Sequence, residues 1–251
     1  MSNKDIIQRN FSRCAKFYDR YSAVQDKAAQ MLIDQLGSRQ FETILDIGCG
    51  TGNYTALLRE KFPESRITAL DVSREMLEIA AQKLSGHAID FLAADGETTR
   101  MDNAFDLMTS NACFQWFEDL PGALCNCSAS LRKNGVLLFS AFGPATYEEL
   151  AACLGEISSS AFLGVGQIAE AMRTHFDNVR VHETVLTETY QTLRELLTTI
   201  KYTGARGFGT SGRRMGPRQL AQLEKTYRDR FGGILATCEI FFCYGEKRGL
   251  K

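Results

Sequence analysis

TILDIGCGTGNYTALLREKFPESRITALD, residues 43–71, decides the architecture. The run TILDIG (43–48) has the length and β-branched content of a buried strand. Its end, Asp46-Ile47-Gly48-Cys49-Gly50-Thr51-Gly52, passes straight into a helical pattern over 53–62. Glycines at such a junction let the backbone turn sharply and let a ligand approach it closely. A second strand, 66–71, ends on Asp71, 19 residues after Gly52. A carboxylate there can accept both hydroxyls of a ribose. Strand, loop, helix, strand and terminal acid, in that order, point to a nucleoside site at the carboxyl edge of a parallel sheet.

The alternation continues on the carboxyl side. Ser73 is a plausible N-cap for a helix over 75–84. Strands follow at 88–95 and 105–111, a helix at 119–132, a turn at Asn134-Gly135 and a strand at 136–142. Strands alternating with helices imply βαβ units and an α/β, Rossmann-like, doubly wound sheet. Further on, 146–158 and 164–175 read as helices, 178–189 alternates like a strand, and 190–230 is helical around the Gly-rich 203–212. The strand 234–247 makes seven. On the amino side, Ile7, Phe11, Ala15 and Tyr18 recur at near-helical spacing within a helical stretch over 5–36. The expectation is a single domain, 1–251. It has cap helices at 1–36, a nucleoside-binding core at 40–142 and a helical lid at 190–232, between the last two strands.

Composition narrows the setting. With 44% hydrophobic and 24% charged residues the chain is neither disordered nor fibrous. It has no apolar run of membrane-spanning length and no apolar leader at its start. Its eight cysteines include no CxxC pair and no zinc spacing, so no metal is expected and the setting reads as reducing and cytoplasmic. Cys113, Cys238 and Cys243 read as small core residues, and Cys49 as a spacer. The net charge of −1 hides an asymmetry: residues 201–230 carry +6 and residues 1–200 carry −8. Such a run is either a solvated helix face or a docking surface for an acidic partner.

The loop is DxGxGxG rather than the GxGxxG of dinucleotide sites, and the chain has no GxxxxGKS/T. An acid two residues before the first glycine would repel pyrophosphate and suits a cation carrying an amino group. With these motifs in order over residues 40–142, the chain resembles the class I S-adenosylmethionine-dependent methyltransferases. The resemblance implies that Asp46, Gly48, Gly50 and Gly52 wrap the methionine part and that Asp71 holds the ribose. It places Val72 and Met76 beside the adenine, Asp95 and Gly96 at its edge, and Asn111 in the methyl-transfer cavity. The product would be S-adenosylhomocysteine.

The acceptor is argued from the ends of the chain. Phe11-x3-Ala15-x2-Tyr18-Asp19-x2-Ser22-x2-Gln25, Phe114-Gln115-Trp116, Phe139-Ser140-x-Phe142-Gly143 and Leu196-x3-Ile200-Lys201-x2-Gly204-Ala205 are similar to segments of the malonyl-acyl-carrier-protein O-methyltransferases of biotin synthesis. That resemblance implies methyl esterification of a malonyl thioester on an acyl carrier protein, docked on 201–230. Tyr18, Trp116, Lys201 and Arg206 would position the acceptor. A carboxylate is ionised at neutral pH and needs no general base, only a dry, aligned site. Rival readings are esterification of a free small acid such as trans-aconitate, C-methylation of a quinone-type precursor, and a nucleic-acid-binding protein using the basic run. The last lacks any recognised RNA motif, so neither nucleic acid nor membrane is expected as a partner.

Overall fold

A computed structural model describes residues 3–102, 104–154, 162–204 and 215–249. The chain opens with α1 (Asn3–Cys14), a 3-10 turn (Ala15–Phe17), α2 (Tyr18–Tyr21) and α3 (Ala23–Asp34). The core follows as β1 (Thr43–Ile47), α4 (Asn53–Lys61), β2 (Arg66–Asp71), α5 (Arg74–Lys83), β3 (Ile89–Ala93) and β4 (Phe105–Ser110). A 3-10 turn (Phe114–Trp116) leads to α6 (Leu120–Ser130) and β5 (Leu131–Phe142). The remainder is α7 (Glu148–Leu154), α8 (Val165–Arg173), β6 (Phe176–Tyr190), α9 (Leu193–Tyr202), α10 (Pro217–Phe231) and β7 (Ile234–Lys247).

The seven strands form one sheet in the order β3-β2-β1-β4-β5-β7-β6. The pairs from β3 to β5 are parallel, while β7 runs antiparallel between β5 and β6. Side chains alternate across the sheet, so both faces are buried. Ile44, Ile67, Leu107 and Leu138 pack against α3 and α4. Leu45, Leu70, Met108 and Leu137 face the other way, toward α6 and α8. The order reverses beside β1, whose neighbours are β2 and β4. That reversal opens a crevice at the strand ends, where open α/β sheets hold ligands.

Most expected elements lie within a few residues of their predicted bounds. One differs in kind. In place of a turn at Asn134-Gly135, β5 already begins at Leu131 and carries a bulge. Phe105 pairs with Leu131, but Leu107 pairs with Val136. Asn134 takes the left-handed backbone (φ 62°) that absorbs the extra residues. Helices α9 and α10 share a small core of their own, Leu193, Leu196, Ile200 and Tyr227, against Leu150 and Ile234.

Candidate functional site

Three glycines after β1 have left-handed backbones: Gly48 (φ 69°), Gly50 (φ 55°) and Gly52 (φ 84°). A Cβ on Gly48 would lie 2.4 Å from Cys113 Sγ, and one on Gly52 would press on Ala80 of α5 and on Leu84 just after it. A Cβ on Gly50 would meet nothing within 4 Å, because its face opens into a cavity.

That cavity has a volume of about 300 Å³. Gly48, Gly50, Asp71, Val72, Met76, Asp95, Gly96 and Asn111 line it, together with Tyr18 and Trp116. Gly52 and Asp46 are not in its wall. Gly52 instead allows α4 to start hard against α5. Asp71 accepts the N–H of Gly50 on Oδ2 at 2.9 Å and of Ser73 on Oδ1 at 2.8 Å. Burial raises its pKa, and backbone hydrogen bonds from Ser73, Gly50 and Val72 oppose the shift. Asp46 is 1% exposed. Thr55 donates to its Oδ2 at 2.6 Å, while Oδ1 has no hydrogen-bond partner. Burial pushes its pKa up to about 7; Thr55 opposes this and the Asp71 charge adds to it. A buried carboxylate with a spare oxygen beside a second carboxylate suits a cationic ligand. Open backbone at Gly50 and the paired acids fit the amino, sulfonium and ribose groups of S-adenosylmethionine.

Helix α1 roofs this cavity. Lys4 pairs with Asp95 at 2.8 Å and Glu97 at 2.9 Å. Gln8 Nε2 donates to the Val72 carbonyl at 2.8 Å, and Ser12 donates to Glu75 at 2.6 Å. Sequence reasoning misses these three residues. Their i, i+4, i+8 spacing places them on one helix face, which is the only trace of them in the sequence. Cys113 also differs from expectation. It is partly exposed, lines the cavity and touches Gly48 instead of packing in the core.

A smaller chamber of about 20 Å³ adjoins the first across Phe11, Tyr18, Ala112 and Trp116. Its polar walls are Tyr18, Gln25, Gln115, Thr146, Tyr147 and Thr203, all of them neutral. Among the described residues no Lys, Arg or His lines it. Burial raises the Tyr18 pKa, with the charges of Asp26, Asp71 and Asp19 adding, so its hydroxyl stays protonated. Trp116 stands edge-on to Phe11 and Phe162, with ring centres 5.6 and 6.0 Å apart. Lys201 is corrected here: it is exposed, its Nζ sits 4.7 Å over the Tyr202 ring, and it lines neither cavity. Arg206 lies outside the described residues, as do Arg213 and Arg214.

Helix α9 packs on the N-terminal helices as well as on the sheet. Cys14 Sγ donates to the Lys201 carbonyl at 3.2 Å, and Tyr202 stacks on Tyr21 with ring centres 4.9 Å apart. Gly204 has a left-handed backbone (φ 79°), and a Cβ there would fall 2.2 Å from the Phe11 ring. Among the described residues no group of His, Cys, Asp and Glu could hold a metal ion, and no helix is long and apolar enough to cross a membrane.

A methyltransferase domain family matches residues 45–139. The chain is 33% identical over 269 aligned positions, spanning all of both chains, to the malonyl-acyl-carrier-protein O-methyltransferase of Bacillus cereus. It is 44% identical over 152 residues, 60% of this chain and 54% of the relative, to that of Acetivibrio thermocellus. Among solved structures, it resembles the phosphoethanolamine N-methyltransferase 2 of Haemonchus contortus bound to phosphomonomethylethanolamine and S-adenosylhomocysteine. That likeness has a TM-score of 0.64 at 16% identity, covering 99% of this chain and 61% of the other.

Proposed function

Because the chain belongs to the malonyl-acyl-carrier-protein O-methyltransferase family, we propose that it methylates the free carboxyl of a malonyl thioester carried by an acyl carrier protein. The end-to-end relation to the Bacillus cereus enzyme carries this reading. It brings the expectation of an early step in biotin synthesis, and it favours this acceptor over a free acid, a quinone precursor or RNA.

S-adenosylmethionine supplies an electron-poor methyl on a sulfonium and leaves as S-adenosylhomocysteine. Asp71, Val72, Met76, Asp95 and Gly96 would hold its nucleoside, and Gly48 and Gly50 would face its amino-acid part, with the charge of Asp46 behind them. What remains for the protein is to keep the acceptor carboxylate dry and aligned. Positioning of that kind contributes about 7–11 kcal/mol. Tyr18, Phe11 and Trp116 sit where the two cavities meet, so the acceptor oxygen would reach the methyl between them. No proton has to be removed, which agrees with a chamber that holds no histidine or carboxylate among its described walls.

Docking of the carrier on 201–230 is part of the proposal, supported by its +6 charge and by the exposed Arg218 on α10. None of the eight cysteines is in a disulfide, which agrees with a reducing, cytoplasmic setting. The test is incubation with labelled S-adenosylmethionine and, separately, malonyl carrier protein, malonyl coenzyme A, trans-aconitate and RNA. Base-labile label on the malonyl carrier protein is the expected result. Label on aconitate or RNA in its place would sink the reading.

A further inference from the structure

Gln115 stands on a wall that two cavities share. One is the acceptor chamber; the other is an apolar cavity of about 360 Å³ between the 114–117 turn, the end of β5 and α8. Phe142 is also common to both, and Phe114, Phe139, Ile168 and Ala171 line the larger one. Its rim carries Leu163, one of the exposed large hydrophobic side chains.

Two residues after β4, Ala112 takes a left-handed backbone (φ 54°), a conformation that favours glycine. Its N–H is held by the Ser140 carbonyl at 3.1 Å and Ser140 Oγ at 2.9 Å. Its carbonyl accepts Gln115 Nε2 at 2.7 Å. That bond sets which end of the amide is nitrogen. Oε1 is then left buried with no hydrogen-bond partner. An orphaned buried acceptor is destabilising, because it gives up water and gains no partner. A ligand N–H would remove that cost; a carboxylate or a hydrocarbon chain could not.

We propose that the 360 Å³ cavity takes the amide-bearing arm of the acceptor thioester, with Gln115 Oε1 accepting the arm's amide N–H nearest the sulfur. This rests on the carrier-thioester reading above. A pantetheine arm has two methylenes between its sulfur and the first amide nitrogen, and otherwise presents methylene and methyl groups. Mostly apolar walls, with Glu118 and Gln167 also in the lining, and one unpartnered acceptor at Gln115 match that chemistry. The carboxyl end is left in the neutral chamber beside Tyr18.

The test compares two small acceptors, malonyl-N-acetylcysteamine thioester, which keeps the N–H, and malonyl butyl thioester, which lacks it. The wild-type protein should prefer the first in kcat/KM. Gln115→Leu should cut that preference about tenfold, mainly through KM, the loss of one buried hydrogen bond. Ala171→Trp, filling the cavity from α8, should cut kcat/KM for malonyl-pantetheine about tenfold more than for the butyl thioester. Calorimetric binding of S-adenosylmethionine reports that each variant is folded, and Ala171→Trp decides alone if Gln115→Leu is not. An unchanged preference overturns the proposal. So does an equal loss on both acceptors with the cofactor still bound, which would leave Gln115 a support for the loop. Wild-type protein that methylates neither thioester overturns the acceptor reading and this inference together.

Discussion

Where the donor half of the pocket is built on carboxylates, with Asp71, Asp95 and Glu97 in its wall and Asp46 behind it, the described walls of the acceptor half are tyrosines, glutamines, threonines, aromatic rings and Ala112. The difference follows from what happens to charge. A cationic methyl donor and an anionic carboxylate combine to neutral products, so both charges fade in the transition state. Carboxylates can help bind the donor. A lysine or arginine fixed on the acceptor carboxylate would stabilise the ground state more than the transition state and slow the reaction. A neutral, water-poor chamber avoids that penalty, and it explains why Lys201 is exposed and turned onto Tyr202.

The contrast breaks most completely at Gly48. Gly48→Val forces a side chain into Cys113 at a left-handed position, and S-adenosylmethionine binding should be lost by calorimetry. On the neutral side, Tyr18→Phe removes a hydroxyl and leaves the ring. It should lower kcat/KM for malonyl carrier protein by roughly 10–100-fold, as the loss of a hydrogen bond to a charged group does. A kcat/KM equal to wild type would mean the carboxylate is held elsewhere.

Acid should separate the halves next. Asp46, with its pKa raised to about 7, must ionise to face a cation. Cofactor affinity should therefore weaken by up to about tenfold per pH unit below about 7, with proton release on binding. The free protein shows the opposite sign. Folded Asp46 keeps a proton that the unfolded chain releases from about pH 4, so this group's contribution to stability falls as pH rises from about 4 to 7, by up to about 1.4 kcal/mol per unit. Asp46→Asn should flatten both curves. At saturating cofactor, the single-turnover rate should stay level from about pH 6 to 8, because the acceptor carboxylate is already ionised.

Smaller effects concern the basic run and helix α1. Reversing Arg213 and Arg214 to Glu should reduce kcat/KM for the carrier-bound acceptor about tenfold at low salt, with much less effect near 1 M salt. Lys4→Ala should weaken cofactor binding only a few-fold, since partly exposed ion pairs contribute about 0–1 kcal/mol. A hundredfold loss there would make α1 a principal donor-binding element.

The core and the donor cavity are legible in the sequence because short-range rules govern them. Apolar runs with glycine punctuation locate β1, β2 and the loop between them, and strand-end acids locate Asp71 and Asp95. Gly52 is legible as a member of the glycine motif, but its role is not, because packing on Ala80 is a contact across the fold. Lys4, Gln8 and Ser12 meet partners more than 60 residues away, and no local spacing encodes that reach. Tyr147 and Thr203 are brought to the acceptor chamber by the β5–α7 turn and the end of α9. In the sequence they stand among ordinary turn and helix-end residues. The β5 bulge escapes a sequence reading because Asn-Gly serves equally for a hairpin turn and for a kink inside one strand.

Gly204 has a wider consequence. Phe11 fills the space where its side chain would be, and Phe11 belongs to the helix over the donor. The same ring lines the acceptor chamber, so one aromatic residue is common property of both ligands' surroundings. Free-energy coupling through such a residue is reciprocal by necessity: whatever factor the donor adds to acceptor affinity, the acceptor returns to the donor. Order of arrival is then set by which ligand is more abundant, while the strength of the partnership is written into a single hydrogen atom where other residues carry a side chain.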